Sequence, residues 1–231
     1  MRKYLDAAAG GVLIAFNLAL GPLLHRWRTR WHATPDEVKE PLPGDEIVNA
    51  PTWTYTHAVR ILAPRAAVWP WLAQIGQGRG GFFSYEVLEN LVGCDIHNVL
   101  ELRSEWQQLR PGDRVRLHAN GFGPRVSILD PGRALVLGGP PDPGGSQASW
   151  GFYLHQTDDG VTRLIERGRH AVGKGILAKL GYGPYLIDPI GFVMSRKMLK
   201  TIKRLAEAAP WTPTFAGDAS HRRTDQIREA A

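Results

Sequence analysis

One cysteine, Cys94, stands in a chain of 231 residues. A lone thiol excludes an internal disulfide framework, and without a CxxC pair no structural zinc site follows from the spacing. Internal repeats and low-complexity tracts are lacking as well. Charged residues make up 22% of the chain and hydrophobic ones 43%, which argues against a disordered chain, a coiled coil or a collagen-like repeat. These absences leave a globular domain with appendages, or at most two small domains. A reducing compartment suits the single thiol.

Also missing is the footprint of a nucleic-acid binder, a basic stripe with interleaved aromatics within the folded body. The net charge of +6 is spread unevenly instead. Residues 1–31 carry five basic and one acidic residue (+4), residues 32–162 ten and fifteen (−5), and residues 163–231 thirteen and six (+7). Basic ends on an acidic body suit an anionic membrane surface at least as well as plain solvation. No nucleic-acid partner is expected.

Residues 7–24 (AAAGGVLIAFNLALGPLL) contain no charge. At ~1.5 Å per residue they reach roughly 27 Å, about the thickness of a hydrocarbon core. Arg2 and Lys3 precede the run, and Trp27 and Trp31 follow it among Arg26, Arg28 and Arg30, where an interfacial aromatic belt would lie. A secretory signal fits poorly, because no small-residue cleavage site follows. Against a span stand Gly10, Gly11, Gly21, Pro22 and Asn17. Residues 1–32 are read as a hydrophobic membrane-anchor helix, spanning or lying on the membrane, with a basic flank; the alternative is a helix packed on the protein's own body. The basic balance favours a cell-membrane location with the main domain cytoplasmic, a wholly cytoplasmic protein being the alternative.

Residues 33–51 are rich in Pro and acidic residues and read as a linker or extended arm. Residues 210–231 read as a loose polar tail. Between them, residues 52–209 carry the folded pattern. Trp53, Tyr55, His57, Val59 and Ile61 alternate with Thr52, Thr54, Thr56, Ala58 and Arg60 as a period-two strand. Pro64 opens a helix containing Pro70, where a kink is expected. After GQGRGG (76–81), Ser84 is expected to cap a helix that Gly93 ends. Strand-like runs follow at 114–118, 125–129, 134–137, 148–155 and 161–169, separated by PGD, DPG, PPDPGG and DDG. An amphipathic helix over 189–209 closes the chain, with Ile190, Met194, Met198, Ile202, Leu205 and Ala209 along one stripe. The fold class is α+β: a curved antiparallel sheet wrapped around a long C-terminal helix.

The segments VWPWLAQIGQGRGGFFSYEVLENLVGCDIHN (68–98) and EWQQLRPGDRVRL (105–117) resemble the SRPBCC proteins common in actinobacteria, relatives of START domains and polyketide cyclases. SWGFYL (149–154), TRLIERGR (162–169) and FVMSRKMLKTIKRLAE (192–207) fit later parts of the same pattern. The resemblance covers residues 52–209 and implies a helix-grip fold. It also implies a hydrophobic cavity between the sheet and the last helix, able to hold a lipid or polycyclic molecule. It implies no single reaction, since the scaffold hosts carriers, sensors and enzymes. No catalytic motif carries over.

The residues themselves offer several candidates. GQGRGG follows a helix and lacks the Lys-Ser/Thr of a phosphate loop, so it reads as a tight turn needing positive φ. Cys94, Asp95 and His97 could begin a metal or nucleophile site but need a further ligand or an orienting group; packing is the plainer reading. No metal and no cofactor is expected. Aromatic side chains converging from several elements suit a ligand pocket, although buried aromatics also simply fill cores. The expected ligand-binding residues are Trp71, Tyr85, Trp106, Trp150, Phe152, Met194 and His57. The expected partner is a hydrophobic small molecule or lipid, with the membrane contacted through residues 7–24. The main alternatives are a cyclase or dehydratase using His57, His97 or Tyr85 as acid or base, and an interaction protein without a pocket. Residues 173–187, apolar and glycine-rich, read as a lid or as an ordinary connection.

Overall fold

A computed structural model describes residues 1–143, 145–173 and 186–208. The expected lid lies outside these residues apart from Gly173, Leu186 and Ile187, and the tail at 210–231 lies wholly outside them. The elements in order are helices α1 (Arg2–Ala19), α2 (Gly21–Arg28) and α3 (Pro35–Lys39), strand β1 (Trp53–Ile61), and helices α4 (Arg65–Ala73) and α5 (Glu86–Leu91). Strands β2 (Arg125–Asp130), β3 (Ala134–Gly138), β4 (Gln147–Gln156) and β5 (Thr162–Ala171) follow, and helix α6 (Ile187–Glu207) closes the fold. The five strands form one antiparallel sheet in the order β1-β5-β4-β3-β2. With α6 packed along one face, this is the helix-grip arrangement.

The period-two pattern decides what each sheet face meets. Ile61, Leu164, Phe152, Leu135 and Leu137 point toward α6 and pack with its Phe192, Leu199 and Ile202 in the main core. Ala58, Ile165, Tyr153 and Val136 point the other way into a smaller core with Leu42. That second core is covered by residues 33–51, which fold as a strap. Thr34 and Glu37 form a capping box at the start of α3, in which each satisfies the other's backbone N–H. Arg163 then grips Glu37 at 2.6 Å, and Arg167 reaches Asp45 at 2.8 Å and the Glu40 carbonyl at 2.7 Å. Gly44 sits at φ 91°, where an added Cβ would stand 2.6 Å from Val136.

The N-terminal segment is built into the body. Trp31, 3% exposed, belongs to the main core. The amides of Thr56 and Ala58 donate to the carbonyls of Thr29 and Trp31, which shields the free edge of β1. Arg28 is fully buried and donates to Asp188 of α6 at 2.7 Å and to the Gly21 carbonyl at 2.9 Å. The run at 7–24 is not one straight helix. It breaks at Leu20 and turns by 108°, and no single helix among the described residues is long and apolar enough to cross a membrane.

Two local expectations need correction. Residues 114–118 form no sheet strand: the amides of Val115 and Leu117 donate to Pro124 and Phe122, so the segment folds onto the chain just after it. Ser84 does not cap α5, which begins at Glu86 behind Tyr85; its hydroxyl donates to the Met194 carbonyl instead, at 3.1 Å. Helix α4 contains Pro70 and continues past it to Ala73.

Candidate ligand cavity

Two cavities meet at Trp150. The larger, about 550 Å³, lies between α1, α5, the segment after α5 and α6, and is walled chiefly by Phe82, Leu88, Ile96, Trp150, Met194 and Met198. The smaller, about 470 Å³, lies on the far side of Trp150 against Tyr55, Phe122, Leu137 and His170. Both volumes are in the range of small-molecule sites.

The wall of the larger cavity follows from local geometry. Glycines at 76, 78 and 81 adopt positive φ, and a Cβ on Gly81 would stand 2.5 Å from Asn98 Oδ1. That oxygen accepts from the Phe83 amide at 2.7 Å, and the Asn98 amide group donates to the Ser84 carbonyl. The GQGRGG turn thus lets Asn98 clamp residues 83 and 84, turning Phe82 and Ser84 to the cavity. On α6 the deep stripe runs through Phe192, Leu199, Ile202 and Ala206. Ile190, Met194 and Met198 sit at its edge and face the cavity.

Trp150 is held in place by a buried polar cluster. Glu166, 0% exposed on β5, accepts from Trp150 Nε1 at 2.7 Å and Ser195 Oγ at 2.8 Å, both on Oε1. Tyr55 OH donates to the same oxygen at 3.4 Å, and His57 Nδ1 lies 3.0 Å from Oε2. Trp can only donate and a carboxylate only accepts, which fixes the direction of these bonds. Gly168 makes the convergence possible: a Cβ there would stand 2.1 Å from Tyr55 Cε1. Burial, then the Glu166 charge, pushes the Tyr55 phenol well above its ordinary pKa, so it remains a donor.

Glu89 on α5 is the opposite case. It lines the larger cavity, and its Oε2 is buried without a hydrogen-bond partner. Burial, then the neighbouring Glu86, raises its pKa to about 7. Beside it, burial and then Glu89 raise the Cys94 thiol, which opposes thiolate chemistry. In the smaller cavity, burial pushes His170 down to about 4, so that its ring is neutral near pH 7.

The residues expected to bind ligand are dispersed. Trp150 and Met194 line the larger cavity, and Trp150 the smaller as well. Phe152 is fully buried behind Trp150, their rings 4.8 Å apart. His57 lies on the same sheet face, bonded to Glu166 and packed against Phe192 at 5.6 Å. Trp71 is core, edge-on to Phe83. Trp106 sits in a short turn whose carbonyl accepts from Arg79. Tyr85 borders a separate, small polar cavity with Lys3, Asp6 and Lys197. His97 is exposed and paired with Asp95, and no metal-binding group of His, Cys, Asp and Glu forms among the described residues. Glu166, Ser195 and Glu89 were not expected from the sequence. Glu166 leaves a legible trace: it falls on the inward phase of β5, two residues after Leu164.

No family model matches the chain, and no curated protein does. Among solved structures it is similar to protein MLL2253 of Mesorhizobium loti, at 17% identity and a TM-score of 0.40 over 69% of this chain and all of that one. It is similar to protein CV1439 of Chromobacterium violaceum at 16% identity and a TM-score of 0.39, over 67% of this chain and 96% of that one. A third is the di-domain ARO/CYC BexL from the BE-7585A biosynthetic pathway, at 20% identity and a TM-score of 0.37, over 71% of this chain and 54% of that one.

Proposed function

We propose that the chain binds a hydrophobic small molecule or lipid in the larger cavity, as a carrier or sensor of the kind its sequence resemblance to SRPBCC proteins implies. The observation that carries this reading is the make-up of the cavity wall. Among the described residues it is apolar except for Ser84, Ser195, Cys94 and Glu89. Burying an apolar ligand there gains roughly 25 cal/mol per Å² before entropic costs. The unpartnered Glu89 oxygen gives the ligand one polar anchor, a carboxyl able to donate below about pH 7 and to accept above it.

Gly191 provides the test. It lines the cavity, and a Cβ built on it meets nothing within 4 Å, so a side chain added there starts in open space and Gly191→Leu is expected to occupy the cavity. Native mass spectrometry of the full chain is expected to show a discrete extra mass that extraction identifies as a lipid or aromatic metabolite. Gly191→Leu is expected to lose that mass while keeping its melting temperature. An unliganded wild type that no member of a lipid and polyketide panel stabilises would overturn the reading.

A cyclase-like enzyme is the second reading, and the poise of Glu89 favours it, since a carboxyl near pKa 7 suits proton transfer at neutral pH. Its mark would be a bound polyketide that wild type cyclises and Glu89→Gln returns unchanged.

A further inference from the structure

We propose that the bent pair α1–α2 lies flat on an anionic lipid bilayer, with the mouth of the larger cavity turned toward the lipid. The first observation is the outer face of α1. Tyr4, Leu5, Ala8, Ala9, Val12, Ala15, Phe16 and Ala19 are all exposed, and their spacing of three and four makes one unbroken apolar stripe. Val12 is 70% exposed. On the same helix Lys3 and Asp6 turn back to the body, Lys3 to Glu86 and Asp6 to Lys197. Soluble monomers rarely leave a contiguous face of this kind open to water.

The bend sets how a bilayer would meet this face. Straightening the pair into a span would pull Arg28 away from Asp188 and the Asn17 carbonyl, and breaking a buried ion pair is strongly unfavourable. A pair bent by 108° and held in that shape offers its apolar stripe sideways, as an interfacial helix does.

Charge selects the partner. Arg26 and Arg30 are exposed on either side of the half-exposed Trp27, and no carboxylate lies within ion-pair distance of either among the described residues. An indole flanked by two open arginines suits the headgroup layer of an anionic membrane. A second copy of this chain would bring the same positive charges against its own.

The cavity mouth adjoins this face. Leu91 and Val92 line the larger cavity yet are 77% and 71% exposed, and α5, which ends at Leu91, packs against α1. Ile14, on the inner side of α1, is itself part of the cavity wall. One helix thus separates the lipid-facing surface from the ligand space.

The full chain, mixed with vesicles of phosphatidylcholine alone or with phosphatidylglycerol, is expected to sediment with the anionic vesicles, less so as salt rises. Val12→Glu/Phe16→Glu, at exposed positions, is expected to weaken binding by about tenfold or more with an unchanged melting temperature. Arg26→Glu/Arg30→Glu is expected to weaken it and flatten its salt dependence. Gly191→Leu is expected to sediment like wild type, so failure of the cavity reading and failure of this one are told apart. A label on Val92→Cys in a Cys94→Ser chain should shift to the blue on anionic vesicles. The proposal is overturned if wild type binds no vesicle, if Val12→Glu/Phe16→Glu binds equally well, if the label does not shift, or if the chain is a dimer that the double variant dissociates.

Discussion

Glu166 and Glu89 are two carboxylates near one cavity, and their surroundings are opposite. Four donors from two strands, β1 and β4, and from α6 converge on Glu166. One Glu89 oxygen has none, and after burial the charge that acts on it is that of another carboxylate, Glu86. The first arrangement organises protein: it ties β1, β4, β5 and α6 together and sets the angle of Trp150. The second leaves unspent hydrogen-bonding capacity at the wall of an apolar space, which is what a binding site requires and a core does not.

Removing Glu166 should break the comparison most severely. Glu166→Ala leaves the indole N–H of Trp150, the hydroxyls of Tyr55 and Ser195 and the buried ring of His57 facing a methyl group. Each has lost its acceptor, and unmade buried bonds are expensive. A loss of about 3–5 kcal/mol is expected in urea denaturation. A loss below about 1 kcal/mol would mean that the cluster does not organise the fold.

How far the sequence shows these two sites depends on how local their causes are. The strands, α6 and the positive-φ turns were legible because their patterns repeat within a few residues. The run at 114–118 misled because it alternates like a strand. Close approach at Gly123, where a Cβ would stand 2.0 Å from the Val115 carbonyl, folds it onto residues 122–124 instead. Residues 33–51 read as a linker because their partners, Arg163 and Arg167, lie more than a hundred residues away. The aromatic residues marked the cavity region but not its wall. Trp71 and Trp150 look alike in sequence, and only the sheet register and the Glu166 anchor separate them. Glu89 follows Glu86 on a short helix and reads as solvent-facing until α1 is laid over it.

Glu89 should reveal itself through pH. Its folded-state pKa, about 7, stands above the ordinary 4.5, so the folded chain holds the proton more tightly than the unfolded chain. The stability this contributes is fully present below pH 4.5 and is lost as pH rises toward 7. Glu89→Gln, neutral throughout, is expected to be more stable than wild type by about 1–2 kcal/mol at pH 8, after allowance for partial screening, and equal to it at pH 4. Paired denaturation curves at the two values check this. A constant difference at both would remove the raised pKa and, with it, the poised carboxyl.

The smallest effect should come from Ser195, which touches both environments: its hydroxyl donates to Glu166, and its side chain borders the larger cavity. Ser195→Ala takes one donor of four from a carboxylate that keeps the other three, so no buried group loses its last partner. The expected cost is about 1 kcal/mol, the net worth of one ordinary hydrogen bond. Apolar ligand affinity should be unchanged or slightly raised, because the wall loses a hydroxyl. A cost approaching that of Glu166→Ala would show that the four donors act as one cooperative unit, since then no single donor could be spared. A small cost, set beside the large one for Glu166→Ala, would identify the carboxylate as the hub and its donors as replaceable spokes. That outcome leaves Glu89 as the carboxyl whose hydrogen bonds a ligand could complete.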